Sequence, residues 1–263
     1  MDRQLLIAST VCYFTGVLHT LLAIRDRISR PTRFNFFAIG AGFLFQTAFL
    51  SVRGHALGRC PITNLFEVFI FLAWSVALIY LLVGPTYRLS LMGAFTAPLV
   101  FALQTFALIA PLDVPAGVRV AASPWLEFHA SMSMIAYGAF ALACVAGVMY
   151  LVQERQLKTH QLHSVFSNLP PLTNLYAAIT RLLWLGFILY SAGLVSGFFT
   201  GGPLPQVKMI CAFAIWLFYG AILQGRHLHR LAPKRVAALC VVAFGAAVSV
   251  LWAINFVSQS RPM

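Results

Sequence analysis

The chain has 263 residues, 60% apolar and 9% charged, whereas soluble domains carry about 25% charged residues. So few charges cannot cover a soluble surface, and a disordered chain would be far less hydrophobic. Eighteen Lys and Arg against six Asp and Glu give a net charge of +12, but long apolar runs separate the cations, a pattern that fits membrane topology and excludes a nucleic-acid-binding stripe.

A membrane span needs about 20 mainly apolar residues to cross roughly 30 Å of hydrocarbon. Eight windows qualify: about 5–24, 34–52, 62–83, 90–110, 126–152, 182–200, 209–225 and 236–257. The two-residue alternation of a membrane barrel is absent, so the windows are predicted as helices. The first is too long for a cleavable signal and its charges lie mostly after it, which predicts a permanent helix. The fold class is therefore all-α, a polytopic membrane bundle of about eight helices, with residues 1–263 forming a single integral-membrane domain. Between the fifth and sixth windows, residues 153–181 are expected to form a connector on the head groups, with Thr173 capping a short interfacial helix after Pro170 and Pro171.

Placing both termini outside puts Arg25, Arg27, Arg30, Arg33, Arg88, Arg155, Lys158, Arg181, Arg226, Arg230, Lys234 and Arg235 on the inner side. Arg3, Arg53, Arg59, Arg119, Lys208 and Arg261 remain outside. Twelve against six satisfies the positive-inside rule. The five cysteines include no C-x-x-C and no C-x-x-C-H, so neither a dithiol redox role nor covalent c-type haem attachment is expected. No P-loop, G-x-G-x-x-G, H-E-x-x-H or G-x-S-x-G occurs, which favours a binding or assembly factor over an enzyme.

Polar groups inside a membrane are costly and mark candidate sites. Gln46, Asn64, Glu67, Gln104, Glu127, His129 and Asn255 all fall in the outer half, while His19 and Gln224 lie in the inner half. Asn64 and Glu67 are three residues apart and share a helix face, as do His129, Ser133 and Tyr137 at four-residue steps. Glu127 points elsewhere, to the head-group boundary or back to cap its own helix. An imidazole in such a bundle is equally a haem ligand, a proton relay or a satisfied donor.

RCPITNLFEVFIFLAW at 59–74 and WLEFHASMSMIAYGAF at 125–140 resemble two motifs of the cytochrome c assembly membrane family. MYLVQERQLK at 149–158, LPPLTNLYAAITR with LGFILYSAGLVSG, and W-x-x-Y with G-R at 216–226 are similar to its later segments. The similarity runs from about residue 40 to 257, and the compact layout most resembles the HemX-type branch. The resemblance implies a protein of the bacterial cytoplasmic (inner) membrane that binds haem at the outer face for cytochrome maturation. His129 would be the axial metal ligand, Glu67, Asn64 and Gln46 would line the pocket, and His19 is a candidate inner ligand. Implied partners are the lipid bilayer, haem, other cytochrome c assembly proteins or an apocytochrome, and no nucleic acid. The chain departs from the family's haem handlers at FFTGGPLPQVKM, 198–209, which lacks Trp, and at Gln224, where an inner His is expected. Two other functions remain open: a HemX-type non-catalytic regulator or scaffold linked to haem biosynthesis, and a small-molecule permease.

Overall fold

The computed structural model describes residues 2–25, 33–84, 90–110, 113, 123–159, 171–200 and 206–260. These form eight helices: α1 (Asp2–Arg25), α2 (Phe34–Leu57), α3 (Leu65–Val83), α4 (Ser90–Ile109), α5 (Pro124–Thr159), α6 (Leu172–Gly197), α7 (Gln206–His227) and α8 (Pro233–Ser260). All eight are long and apolar enough to cross a membrane, and no strand occurs among the described residues.

Contacts at the helix ends show that the helices alternate in direction. Arg53 at the end of α2 meets Glu67 at the start of α3 and Asp113 beyond α4, and Arg3 of α1 reaches the same Asp113. At the opposite end Lys234 of α8 meets Glu154 near the end of α5, and Arg226 of α7 lies over the Tyr176 ring of α6. Most described cations stand at this second end, which the positive-inside rule makes the inner one.

Most of the predicted boundaries move by a few residues, and two move furthest. α5 has 36 residues, about 54 Å at 1.5 Å per residue, so it outruns the hydrocarbon. Its last turns are good helix formers, reinforced by an i,i+4 pair between Lys158 and Glu154 at 2.7 Å. α6 begins directly after Pro171. Thr173 is thus inside the helix rather than at its cap, and Leu175, Ala178 and Ile179 are fully buried. Residues 172–181 are the packed beginning of a span, because their small and apolar side chains have a bundle to bury against. The remainder of the connector, 160–170, lies outside the described residues.

α3 and α5 form the centre of the bundle: 72% of the most apolar stretch of each is buried, against 17% for that of α7. Lipid is as apolar as a helix surface, so close backbone approach and interhelical hydrogen bonds drive the packing. A Cβ at Gly138 would lie 2.7 Å from the Ser75 backbone carbon, so only glycine permits this α3–α5 crossing. Between α5 and α7, Phe140 stacks on Tyr219 with ring centroids 3.7 Å apart.

Candidate functional site

α2 ends at Gly58 in the left-handed region, φ 64, with its N–H and that of Arg59 returning to the His55 and Gly54 carbonyls. Glycine adopts this conformation without Cβ strain. The turn directs residues 59–64 across the outer end of the bundle, where Asn64 caps α3 by accepting the Glu67 N–H at 2.8 Å.

Glu67 is 1% exposed, and its carboxylate is fully engaged. One oxygen accepts from Arg53 Nε at 2.9 Å, the other from the Thr63 N–H at 2.9 Å and the Thr63 hydroxyl at 3.0 Å. Arg53 also donates to Asp113 at 2.6 Å, and Asn64 donates to the same carboxylate at 3.2 Å. The Arg53 guanidinium lies over the Phe66 ring, 5.1 Å from its centroid. Together these groups form a charge-assisted brace that ties α2, α3 and the segment after α4. Glu127 joins the same turn from α5, accepting the Cys60 N–H at 3.1 Å, so it neither caps its own helix nor lies free at the head groups.

His129 stands on the next part of this end. Its Nδ1 is 2.6 Å from the Gly193 carbonyl of α6. A carbonyl only accepts, so Nδ1 carries the proton, which in the neutral ring leaves the lone pair on Nε2. Ser196 donates to the same carbonyl at 2.7 Å. A Cβ at Gly197 would stand 3.0 Å from His129 Nδ1, so the missing side chain leaves room for the ring. Ser133 and Tyr137 follow His129 along the α6 face: a Cβ at Gly193 would meet Ser133 Oγ at 2.7 Å, and Tyr137 packs edge-on against Tyr190.

The half-buried imidazole shares its end of the bundle with exposed Trp125, Phe128, Phe198 and Phe199. The Trp125 and Phe199 rings are 5.1 Å apart. Arg59, in the turn held by Glu127, has an Nη1 that is buried without a hydrogen-bond partner. An imidazole nitrogen, apolar rings and one unsatisfied guanidinium nitrogen suit an amphipathic, aromatic, anionic molecule.

The other sequence-predicted residues are dispersed. Gln46 is fully buried, accepting from the Tyr13 hydroxyl at 2.6 Å and donating to the Ile70 carbonyl at 2.8 Å, a cross-tie of α1, α2 and α3. Gln104 similarly ties α4 to the Leu6 carbonyl and Thr10 hydroxyl of α1. His19 is at the inner end, stacked on Phe34 at 4.6 Å. The side chain of Asn255 lies outside the described residues.

Sequence spacing assigned no site role to Arg53, Arg59, Asp113 or His55. Arg53 and Asp113 are 60 positions apart, a pairing that no local pattern reveals. The Asn64–Glu67 cap has a local signature, Asn-x-x-Glu before an apolar run, that the shared-face reading did not use. His55 is exposed at the end of α2 with Nδ1 on the Ser51 carbonyl at 2.8 Å. It is a second imidazole at this end of the bundle.

The model of the "Cytochrome C assembly protein" family matches residues 62–261. The chain is similar to "Cytochrome c biogenesis protein CcsA" of Synechococcus sp. (strain JA-3-3Ab), 26% identical over 84% of this chain and 82% of the relative. It is also similar to the CcsA of Prochlorococcus marinus (strain MIT 9301), 26% identical over 81% and 78%. "Protein HemX" of Brevibacillus brevis is 25% identical over 80% of both chains.

Proposed function

We propose, for a chain that belongs to the cytochrome c assembly protein family and has a role in cytochrome c biogenesis, that it binds haem at the outer end of the bundle and presents it for cytochrome maturation. Haem is cargo in this reading. The observation that carries it is the His129 imidazole, whose Nδ1 proton is committed to the Gly193 carbonyl while Nε2 stays available as an axial donor. A hydrogen bond on the distal ring nitrogen fixes the tautomer and raises ligand basicity.

Each neighbour has a role toward the cargo. Gly197 gives the ring its clearance, and Ser196 holds the Gly193 carbonyl in place. Trp125, Phe128 and Phe199 offer apolar contact for a porphyrin face, and Arg59 offers the unpaired donor that a carboxylate side group needs. Glu67 and Asn64 support the site from behind, because their polar atoms are engaged by Arg53, Thr63 and Asp113. Gln46 acts as a helix cross-tie, and His19 stands too far along α1 to share this site. The membrane is the bacterial cytoplasmic membrane, with apocytochrome or other assembly proteins meeting the outer face.

Similarity to a HemX protein over 80% of both chains favours a second reading, a non-catalytic regulator or scaffold without haem of its own. One experiment separates the two. The protein purified in detergent is titrated with haem and the Soret band recorded for wild type and His129→Ala. A saturable band that shifts or weakens at least tenfold in affinity in the variant is expected, the range for loss of a metal-site interaction being roughly 10–100-fold. No saturable band in wild type, or an unchanged band in His129→Ala, overturns the haem assignment.

A further inference from the structure

The joint between α5, α7 and α8 holds a buried cluster that haem binding at His129 does not use. A Cβ at Gly147 would lie 2.9 Å from the Ala237 carbonyl oxygen, so α5 and α8 touch backbone to backbone there. The two helices run antiparallel. Cys144 is three residues before Gly147 and Cys240 three residues after Ala237, so each stands about one turn toward the outer end on the contacting face. The crossing therefore brings the two thiols to the same level. Cys240 is 1% exposed, and Cys144 is half-buried.

Tyr219 enters this level from α7. Its ring stacks on Phe140, with centroids 3.7 Å apart and planes 6° from parallel, and Phe140 is one turn before Cys144 on α5. Tyr219 is 1% exposed, and its hydroxyl is buried without a hydrogen-bond partner. The ionisable side chains that act on that hydroxyl are Cys240 first, then Cys144 and Tyr190, and the two thiols also act on each other. Tyr190 donates its own hydroxyl to the Ala212 carbonyl at 3.3 Å. An orphaned buried hydroxyl costs about 1–3 kcal/mol, and this one stands within electrostatic reach of two sulfurs while bonding to neither. Among the described residues no third His, Cys, Asp or Glu joins these two thiols.

Two thiols and a hydroxyl, with no carboxylate or imidazole, make a soft donor set that is poor in ligands. Zinc takes four ligands in closed protein sites, and magnesium and calcium take oxygen. Sulfur donors select copper(I). Charge favours the same ion, because one thiolate neutralises one monovalent cation and the loaded site carries no net charge into the apolar bundle. We propose that Cys144 and Cys240 bind one copper(I) ion, with the Tyr219 hydroxyl donating to the bound thiolate. One thiol proton leaves for the aqueous phase as its sulfur–copper bond forms. The second sulfur coordinates as a neutral thiol, and no electron is transferred. Tyr219 is then a positioning residue whose orphaned donor gains its partner, and half-buried Cys144 marks the side of entry. Fifteen positions of α5, about 22 Å, separate Cys144 from His129, so loading does not depend on haem.

The test uses the purified, haem-free full chain in detergent, kept anaerobic with ascorbate. Copper(I) is supplied on a chromogenic chelator whose absorbance reports the metal it loses. Wild type is expected to take one equivalent from the chelator, and X-ray absorption on the loaded protein to show sulfur ligands. Cys144→Ala and Cys240→Ala should each abolish that equivalent, and Cys12→Ala, on α1, should leave it. Tyr219→Phe keeps the ring and its stack and removes only the orphaned hydroxyl. It should melt no lower than wild type and bind copper(I) roughly 10–100-fold more weakly, the range for losing a hydrogen-bond partner of a metal ligand. If a cysteine variant fails to fold, the Tyr219→Phe comparison decides alone. No equivalent taken from the chelator overturns the proposal, leaving the thiols as packing groups and the hydroxyl to a buried water. Binding that survives both cysteine variants, affinity unchanged in Tyr219→Phe, or zinc(II) held in preference to copper(I) overturns it as well.

Discussion

Glu67→Gln changes a charge and almost no volume, so it separates a structural brace from a ligand pocket. The carboxylate accepts three hydrogen bonds, from Arg53 Nε, the Thr63 N–H and the Thr63 hydroxyl, at 2.9–3.0 Å, with 1% of the residue exposed. A glutamine keeps one accepting oxygen. Its amide nitrogen must then face Arg53 or Thr63, donor against donor, with little water to relieve the clash. Breaking a buried pair costs about 3–5 kcal/mol, and the Arg53 side chain retains 19% exposure and its bond to Asp113, which places the cost near the lower figure. At roughly 2–4 °C per kcal/mol for a chain of this size, the thermal midpoint falls by about 6–12 °C. Asp113→Asn removes a partner that is 29% exposed, and should cost about 1 kcal/mol, hence a few degrees. Unfolding of the haem-free protein in detergent, followed by far-ultraviolet circular dichroism, reads both. A Glu67→Gln protein that melts within about 2 °C of wild type refutes the brace. If it also loses haem binding, Glu67 belongs to the pocket.

Two further outcomes follow from the packing. Burial pushes the Cys60 thiol above the usual cysteine range, and the charges of Glu127 and Glu67 push the same way against the Ser131 hydroxyl. A raised thiol pKa leaves less thiolate at neutral pH, and alkylation rate follows the thiolate. Cys60 should therefore react several-fold more slowly with a maleimide than an unperturbed thiol, accelerate as pH rises, and react faster in Glu127→Gln; equal rates in the two proteins remove the electrostatic contribution. At the α3–α5 crossing, Gly138→Ala places a methyl 2.7 Å from backbone that cannot move alone, whereas Gly245→Ala meets nothing within 4 Å. The first should lower the thermal midpoint by the several degrees that an overpacking cost of about 1–3 kcal/mol implies, and the second should leave it unchanged or slightly higher. Similar midpoints for the two variants would show that the crossing relaxes.

Much of the bundle was legible because crossing hydrocarbon imposes one requirement, a run of apolar residues long enough to satisfy its own backbone. All eight windows correspond to helices. The ends were less legible, since nothing apolar marks where a helix stops in water. α5 continues through QERQLKT on charge pairing and propensity, and α6 starts ten residues before its apolar window because Leu175, Ala178 and Ile179 pack on the bundle. At the site, local spacing identified the face shared by His129, Ser133 and Tyr137, which indeed meets α6. Depth and a shared face grouped Asn64 with Glu67, and depth alone added Gln46, but neither distinguishes a ligand donor from a cap or a cross-tie. That distinction depends on which distant atoms use the lone pairs. For Glu67 they belong partly to Arg53, and for Gln46 to Tyr13 and Ile70.

The length of α5 has a mechanical meaning. His129 and Glu154 are 25 positions apart on one helix, about 37 Å along its axis. Its one proline is Pro124, at the first position, so no interior proline interrupts the backbone ladder. One end grips the Gly193 carbonyl, and the other is moored by Glu154 to Lys234 at the root of α8. The imidazole and the inner-surface anchor are therefore parts of one continuous helix, and the length of that helix sets the distance between them.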